Sequence, residues 1–203
     1  YGEVSITNAF KNSLNTVAID LLSKVGFEKV IATANRLGIG YNRKPGHFYP
    51  LAIGAYEESV LNMTAAYAGI ANRGIYIKPS AIESIKGPDN EIIWSHKRSQ
   101  RENPRAVSIE AADTMNWMLR KVVSEGSGRA ASLEGRQVAG KTGTSEGNRD
   151  LWFIGSIPQL TTSVWLGKDN NSEIEGSSGD AAFAWKQFIL KIDSDLENLN
   201  FPK

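Results

Sequence analysis

The sequence predicts a mixed α+β domain, an antiparallel sheet flanked by helices, and three observations carry that prediction. Apolar residues recur with a helical period through most of the first half. From residue 137 onward the period shortens into extended segments joined by tight polar turns, and an amphipathic helix over 179–192 closes the pattern. At 203 residues the chain is long enough for one substantial core, or for part of a larger domain.

Each element has its own signal. Residues 16–25 bury Val17, Leu21, Leu22 and Val25, and Gly26 ends that helix. Residues 27–37 place Phe27, Val30, Ile31, Ala34 and Leu37 on one face, with Gly38 as the stop. A loop rich in Pro, Gly and aromatics follows over 41–50, then a third helix over 58–72 carried by Val60, Met63, Tyr67, Ile70 and Ala71. Short extended runs at 75–79, 81–86 and 91–95 flank the polar turn Gly87-Pro88-Asp89-Asn90 and read as a small hairpin. Ser108 is placed to cap a helix through Val123, with Ile109, Ala112, Met115, Leu119 and Val122 on one side. After the Gly126-Ser127-Gly128 break come the strand holding Lys141 and two more, over 151–157 and 161–166. Their short connections predict an antiparallel meander. Residues 193–203 read as a loose polar tail.

Composition narrows the function classes. The 23 basic and 22 acidic side chains nearly cancel, which argues against nucleic acid as a partner. No cysteine is present, which removes disulfides, thiolate metal sites and a cysteine nucleophile together. His47 and His96 form neither HExxH nor a metal cluster, so neither metal nor cofactor is expected. No run of about 18 apolar residues occurs and the N-terminus lacks a charged-then-apolar pattern, so the chain is expected neither to span a membrane nor to carry its own export signal.

The stretch from Gln137 to Ser145 admits two incompatible readings. Gly135 through Thr142 fits the formal P-loop pattern GxxxxGK[ST], in which backbone amides at the start of a helix cradle phosphates. That loop needs an apolar strand before its first glycine and a helix after its lysine. The sequence has Arg129 to Glu134 upstream and Gly143, Gly147 and Asn148 downstream, so both requirements fail. On an edge strand the same residues recognise an acid. Lys141 supplies a positive charge, Thr142 and Thr144 supply hydroxyl donors, and Gly143 lets a ligand lie against the backbone. Such charge-assisted bonds contribute about 1.5–3 kcal/mol where water is excluded and little where it is not, so the site must be a cleft.

Three groups of residues, taken together, resemble the transpeptidase domain of class A penicillin-binding proteins. The first is Val138 to Ser145 with Asp150-Leu151-Trp152-Phe153-Ile154-Gly155 and Val164 to Asn170. The second is Val4 to Thr16, and the third comprises Met63 to Gly74 and Val122 to Arg129. The similarity runs nearly to Ile192. It implies a three-layer helix–sheet–helix sandwich with a helical lobe, of the β-lactamase/transpeptidase type. The chain would then be the C-terminal part of a penicillin-binding transpeptidase domain over 1–192 with a polar tail over 193–203. That family works through Ser-x-x-Lys, Ser-x-Asn and Lys-Thr-Gly. Ser13-Leu14-Asn15 matches the second motif and Lys141-Thr142-Gly143 the third. By resemblance Ser13 and Lys141 are catalytic, Ser13 relaying a proton and Lys141 lowering its pKa. Asn15, Thr142, Gly143 and Thr144 bind substrate, and the Thr144 N–H is an oxyanion donor.

No serine or threonine has a lysine three positions on, so the first motif is absent. The resemblance therefore implies a fragment whose nucleophile helix, two further strands and membrane anchor lie upstream. The implied partners are D-Ala-D-Ala stem peptides, an acceptor amine, β-lactams and the upstream segment carrying Ser-x-x-Lys, on the extracytoplasmic side of the membrane. Two other functions use the same residues: a D-Ala-D-Ala carboxypeptidase or β-lactamase with water as acceptor, and a non-catalytic peptidoglycan-binding or antibiotic-sensing module. Taken alone, Ser13 and Asn15 also suit helix N-caps, Thr142 and Thr144 suit a plain strand, and Trp152, Phe153 and Trp165 suit the core.

Overall fold

The computed structural model describes residues 2–40, 49–99 and 105–202. Its helices are α1 (Ile6–Lys11), α2 (Asn15–Val25), α3 (Phe27–Arg36), α4 (Val60–Ala71), α5 (His96–Ser99), α6 (Ile109–Glu125) and α7 (Ser178–Ile192). The strands β1 (Ser84–Lys86) and β2 (Ile92–Ser95) form a small antiparallel hairpin. β3 (Ala139–Thr144), β4 (Asp150–Ile157) and β5 (Leu160–Gly167) form the main sheet in that order. Short turns make both joins of the meander antiparallel, as expected from sequence.

Local chemistry sets the helix starts. Ser59, Ser108 and Ser177 cap α4, α6 and α7 by accepting the N–H groups of Asn62, Ala111 and Gly179, and Asp180 completes a capping box at Ser177. Each such cap stabilises its helix by about 1 kcal/mol. Two short helices have no counterpart in the sequence reading: the six-residue α1, which carries too few turns to show a period, and the four-residue α5, which His96 opens. His47 and most of the loop over 41–50 lie outside the described residues.

Strand alternation places Leu151, Phe153, Gly155 and Ile157 on one face of β4 and Ile154 and Ser156 on the other. α7 covers the first face. Its fully buried Trp185 meets Phe153 edge to face at 5.4 Å and 68°. A Cβ at Gly155 would lie 2.6 Å from the Trp185 ring, so only glycine admits the indole there. α4 and α6 cover the second face, where Thr64 hydrogen-bonds Ser163 and Leu119 clusters with Ala139. The result is helix, sheet, helix in three layers, with α2 and α3 to one side as the helical lobe. Phe153 is core, whereas Trp152 and Trp165 pair across β4 and β5 on the other face and are half-buried. Among the described residues β5 pairs with β4 alone, and α7 leaves Phe183, Phe188 and Leu190 exposed.

The C-terminal tail is bound rather than loose. Arg136 donates to the carbonyls of Leu196 and Glu197, Asn198 donates to the Gly135 carbonyl, and the Phe201 N–H donates to Gln137 Oε1. Phe201 itself is only 3% exposed. Polar composition hid this contact, because one aromatic residue near the chain end gives no periodic signal.

Candidate active site

The site is built from the turn after α1, the first turn of α2, strand β3 and the break after α6. Ser13 is the left-handed residue that ends α1, with φ 55°. The N–H of Leu14 returns to the Ala9 carbonyl and that of Ser13 to the Phe10 carbonyl, which is a Schellman stop with serine where glycine is usual. A non-glycine residue in that region costs about 1–2 kcal/mol, and such strain persists where a side chain has to be aimed. The N-cap reading of Ser13 and Asn15 does not hold. Leu14 occupies the N-cap of α2 without a side-chain bond, and Asn15 is the first helical residue, exposed to solvent.

Lys141 reaches across from β3. Its Nζ donates to Ser13 Oγ at 2.8 Å and to the Thr142 carbonyl at 3.0 Å. Burial disfavours the ammonium and lowers Lys141 from its ordinary 10.5 to about 8. Near neutral pH the group is therefore a hydrogen-bond donor close to its own titration. Because β3 is an edge strand, its outer backbone faces away from β4, and the Gly140-Lys141-Thr142 sequence runs inside a strand rather than at a helix start. The P-loop reading fails on that placement.

Thr142 and Thr144 lie on the same face of β3 by alternation, yet they differ. Thr142 is buried and its Oγ1 shares a 2.7 Å hydrogen bond with Ser127 Oγ, while Thr144 is exposed. In a paired set of hydroxyls one donates to the other, leaving a single proton to offer outward. Gly143 is half-buried, and a Cβ there would lie 3.3 Å from Trp152 Cβ. β3 ends in a fixed turn. Ser145 Oγ donates to Asp150 Oδ2 at 2.8 Å, the Asp150 N–H returns to Ser145 Oγ at 2.8 Å, and Trp165 Nε1 donates to Asp150 Oδ1 at 2.9 Å.

The sequence marks Gly126-Ser127-Gly128 as a break between elements and assigns Ser127 no contact, whereas the structure gives it several. Besides Thr142, its N–H donates to the Lys11 carbonyl at 3.0 Å, and a Cβ on Gly126 would meet that same oxygen at 2.2 Å. Glycine thus lets the break seat against α1, the helix that aims Ser13. The Lys11–Glu125 ion pair at 3.0 Å fastens the same junction, and Lys121 and then Lys11 hold the Glu125 carboxyl below its usual range. A serine between two glycines was the one signal available. A groove of about 530 Å³ along α6, lined by Arg73, Asp113 and Trp117 among others, shares no lining residue with the Ser13–Lys141 pair.

The sandwich agrees with comparisons to known proteins. The family described as penicillin binding protein transpeptidase domain matches residues 1–184, and the chain belongs to that family. Penicillin-binding protein 1A of Aquifex aeolicus (strain VF5) is 41% identical over 170 residues, covering 83% of this chain and 22% of that protein. Penicillin-binding protein 4 of Bacillus subtilis (strain 168) is 31% identical over 179 residues, covering 86% of this chain and 28% of its own length. The structure of PonA1 from Mycobacterium tuberculosis in complex with penicillin V superposes with TM-score 0.85 at 26% identity, over 100% of this chain and 61% of that one. This chain spans about a quarter of the length of such curated relatives.

Proposed function

We propose that the chain supplies the recognition and proton-handling half of a serine-type D,D-transpeptidase that cross-links peptidoglycan on the extracytoplasmic face of the membrane. The observation that carries this reading is the Lys141 Nζ to Ser13 Oγ hydrogen bond, which joins two sequence motifs 128 residues apart beside an open strand edge. In this reading a serine that the chain does not carry attacks the carbonyl of a D-Ala-D-Ala stem peptide. Its proton passes through Ser13 to the departing D-Ala amine. An acceptor amine then reverses the path, returning a proton through Ser13 as the acyl-serine is cleaved. β-Lactams present the same acyl and carboxylate groups and stop at the acyl stage.

Lys141 acts as the electrostatic partner of Ser13, stabilising charge that develops on its oxygen and drawing in the substrate carboxylate. Thr144, and the proton left on the Thr142–Ser127 pair, bind that carboxylate. Asn15 accepts and donates to the stem-peptide amide, and Gly143 lets the peptide run along the β3 edge. The Thr144 N–H stabilises the oxyanion, a donor whose loss costs about 2.7–4 kcal/mol in comparable sites. The fused protein would combine this chain with a Ser-x-x-Lys segment, a membrane anchor and a glycosyltransferase domain.

Incubation with labelled penicillin followed by intact-mass analysis tests the reading, on this chain alone and joined to its natural upstream sequence. An adduct on the joined protein alone, slowed at least tenfold by Lys141→Ala, is the expected result. An adduct that forms at the same rate without Lys141, or no adduct on either protein, sinks it.

A further inference from the structure

The bound C-terminal tail meets the strand that carries Lys141 at three successive residues just before it. Asn198 Nδ2 donates to the Gly135 carbonyl at 2.9 Å. Arg136 donates to the Leu196 carbonyl at 2.8 Å and the Glu197 carbonyl at 3.0 Å, and its Nε lies 2.7 Å from Asp193 Oδ1. Gln137 Oε1 accepts the Phe201 N–H at 3.1 Å together with Arg120 of α6 at 2.7 Å. The tail is therefore tied to residues 135–137, just ahead of β3, by bonds that each pair one side chain with one backbone group.

The Phe201 ring then enters an apolar cluster that contains both arms of the site. Leu119 and Ala139 are buried with it, and Phe10, Tyr67, Ile70, Ala71 and Met115 pack against them. Ala139 stands two residues before Lys141, on the same face of β3. Phe10 is in α1, and its carbonyl accepts the Ser13 N–H in the turn that aims Ser13. The 2.8 Å bond between Lys141 and Ser13 tolerates a displacement of only about 0.5 Å before it weakens. A close-packed core transmits a lost ring as a shift of its neighbours.

We propose that Phe201 is a positioning residue for the Ser13–Lys141 pair: its ring, held by the tail, fixes the spacing between the end of α1 and β3. This rests on the reading of Ser13 and Lys141 as the proton-handling pair. The tail thereby serves the active site, although it lies outside all three sequence motifs.

The test reads the titration of Lys141 on this chain without substrate. Lysines are labelled with trace acetic anhydride across pH, and the Lys141 peptide is quantified by mass spectrometry. Phe201→Ala is expected to let water in and raise the Lys141 midpoint by about one pH unit, from about 8 toward 10.5. Phe201→Leu should restore most of the shift. Leu37→Ala, whose cluster with Ala66 and Ala106 meets the Phe201 cluster only through Ile70 among the described residues, should lower thermal stability without moving the midpoint. Phe201→Val, with an intermediate shift, serves where Phe201→Ala does not fold. An unchanged midpoint in the folded Phe201 variants, or an equal shift in Leu37→Ala, overturns the proposal. Failure of the catalytic reading shows separately, as penicillin acylation indifferent to Lys141→Ala.

Discussion

Ser127 Oγ and Thr142 Oγ1 lie 2.7 Å apart and connect the break after α6 to the centre of β3, with Thr142 only 8% exposed. Replacing Ser127 with alanine leaves a buried hydroxyl without its partner, a loss of about 1–2 kcal/mol. Urea unfolding is expected to show a lower midpoint for Ser127→Ala with unchanged slope. Ser127→Thr, which keeps the hydroxyl, should lose less. Equal losses for the two variants would place the cause in packing rather than in the hydrogen bond.

The left-handed conformation of Ser13, at φ 55°, separates stability from function at one position. Ser13→Gly and Ser13→Ala both delete the hydroxyl that accepts the Lys141 hydrogen bond, but only glycine relaxes the backbone. Ser13→Gly is expected to be more stable than Ser13→Ala by about 1 kcal/mol. Both should slow penicillin acylation of the longer protein to the same degree. Thermal unfolding of the pair checks the first statement, and equal Tm values would mean that the turn carries no strain.

The titration of Lys141 has a defined sign. In the folded chain the ammonium loses its proton near pH 8 because burial disfavours it, whereas the unfolded chain holds that proton to about 10.5. Between those values the unfolded state binds more protons, so stability from this group rises with pH and the penalty is fully present below 8. Lys141→Met is therefore expected to gain most over the unsubstituted chain at pH 7 and to lose that advantage as pH approaches about 10.5. Calorimetric Tm measured for both proteins across this range checks it; a pH-independent difference would show Lys141 to be solvated.

Asp150 ties the turn after β3 to the sheet by taking one hydrogen bond from Ser145 and one from the Trp165 indole. Asp150→Ala strands both donors in a partly buried setting, at a cost of about 2 kcal/mol. The Trp165 environment should change with it, read as an altered near-ultraviolet circular dichroism spectrum. Retention of both the spectrum and the unfolding midpoint would mean that water replaces the carboxylate without loss.

Periodicity locates α2, α3, α4, α6 and α7, whose apolar residues recur on one side, and extended apolar runs between polar turns locate β4 and β5. The resemblance to penicillin-binding transpeptidases likewise points to Ser13, Asn15, Lys141, Thr142, Gly143 and Thr144 before any coordinate is known. Those are local properties, written in neighbouring residues. Whether a hydroxyl 128 residues away meets the Lys141 ammonium is not local, and only the packing of α1 against the end of α6 brings them to 2.8 Å. The same holds for Ser127 behind Thr142 and for Phe201 behind Ala139. A single serine in a glycine turn and a single aromatic in a polar tail have no period, so their partners emerge only when the sheet and its covering helices close around them.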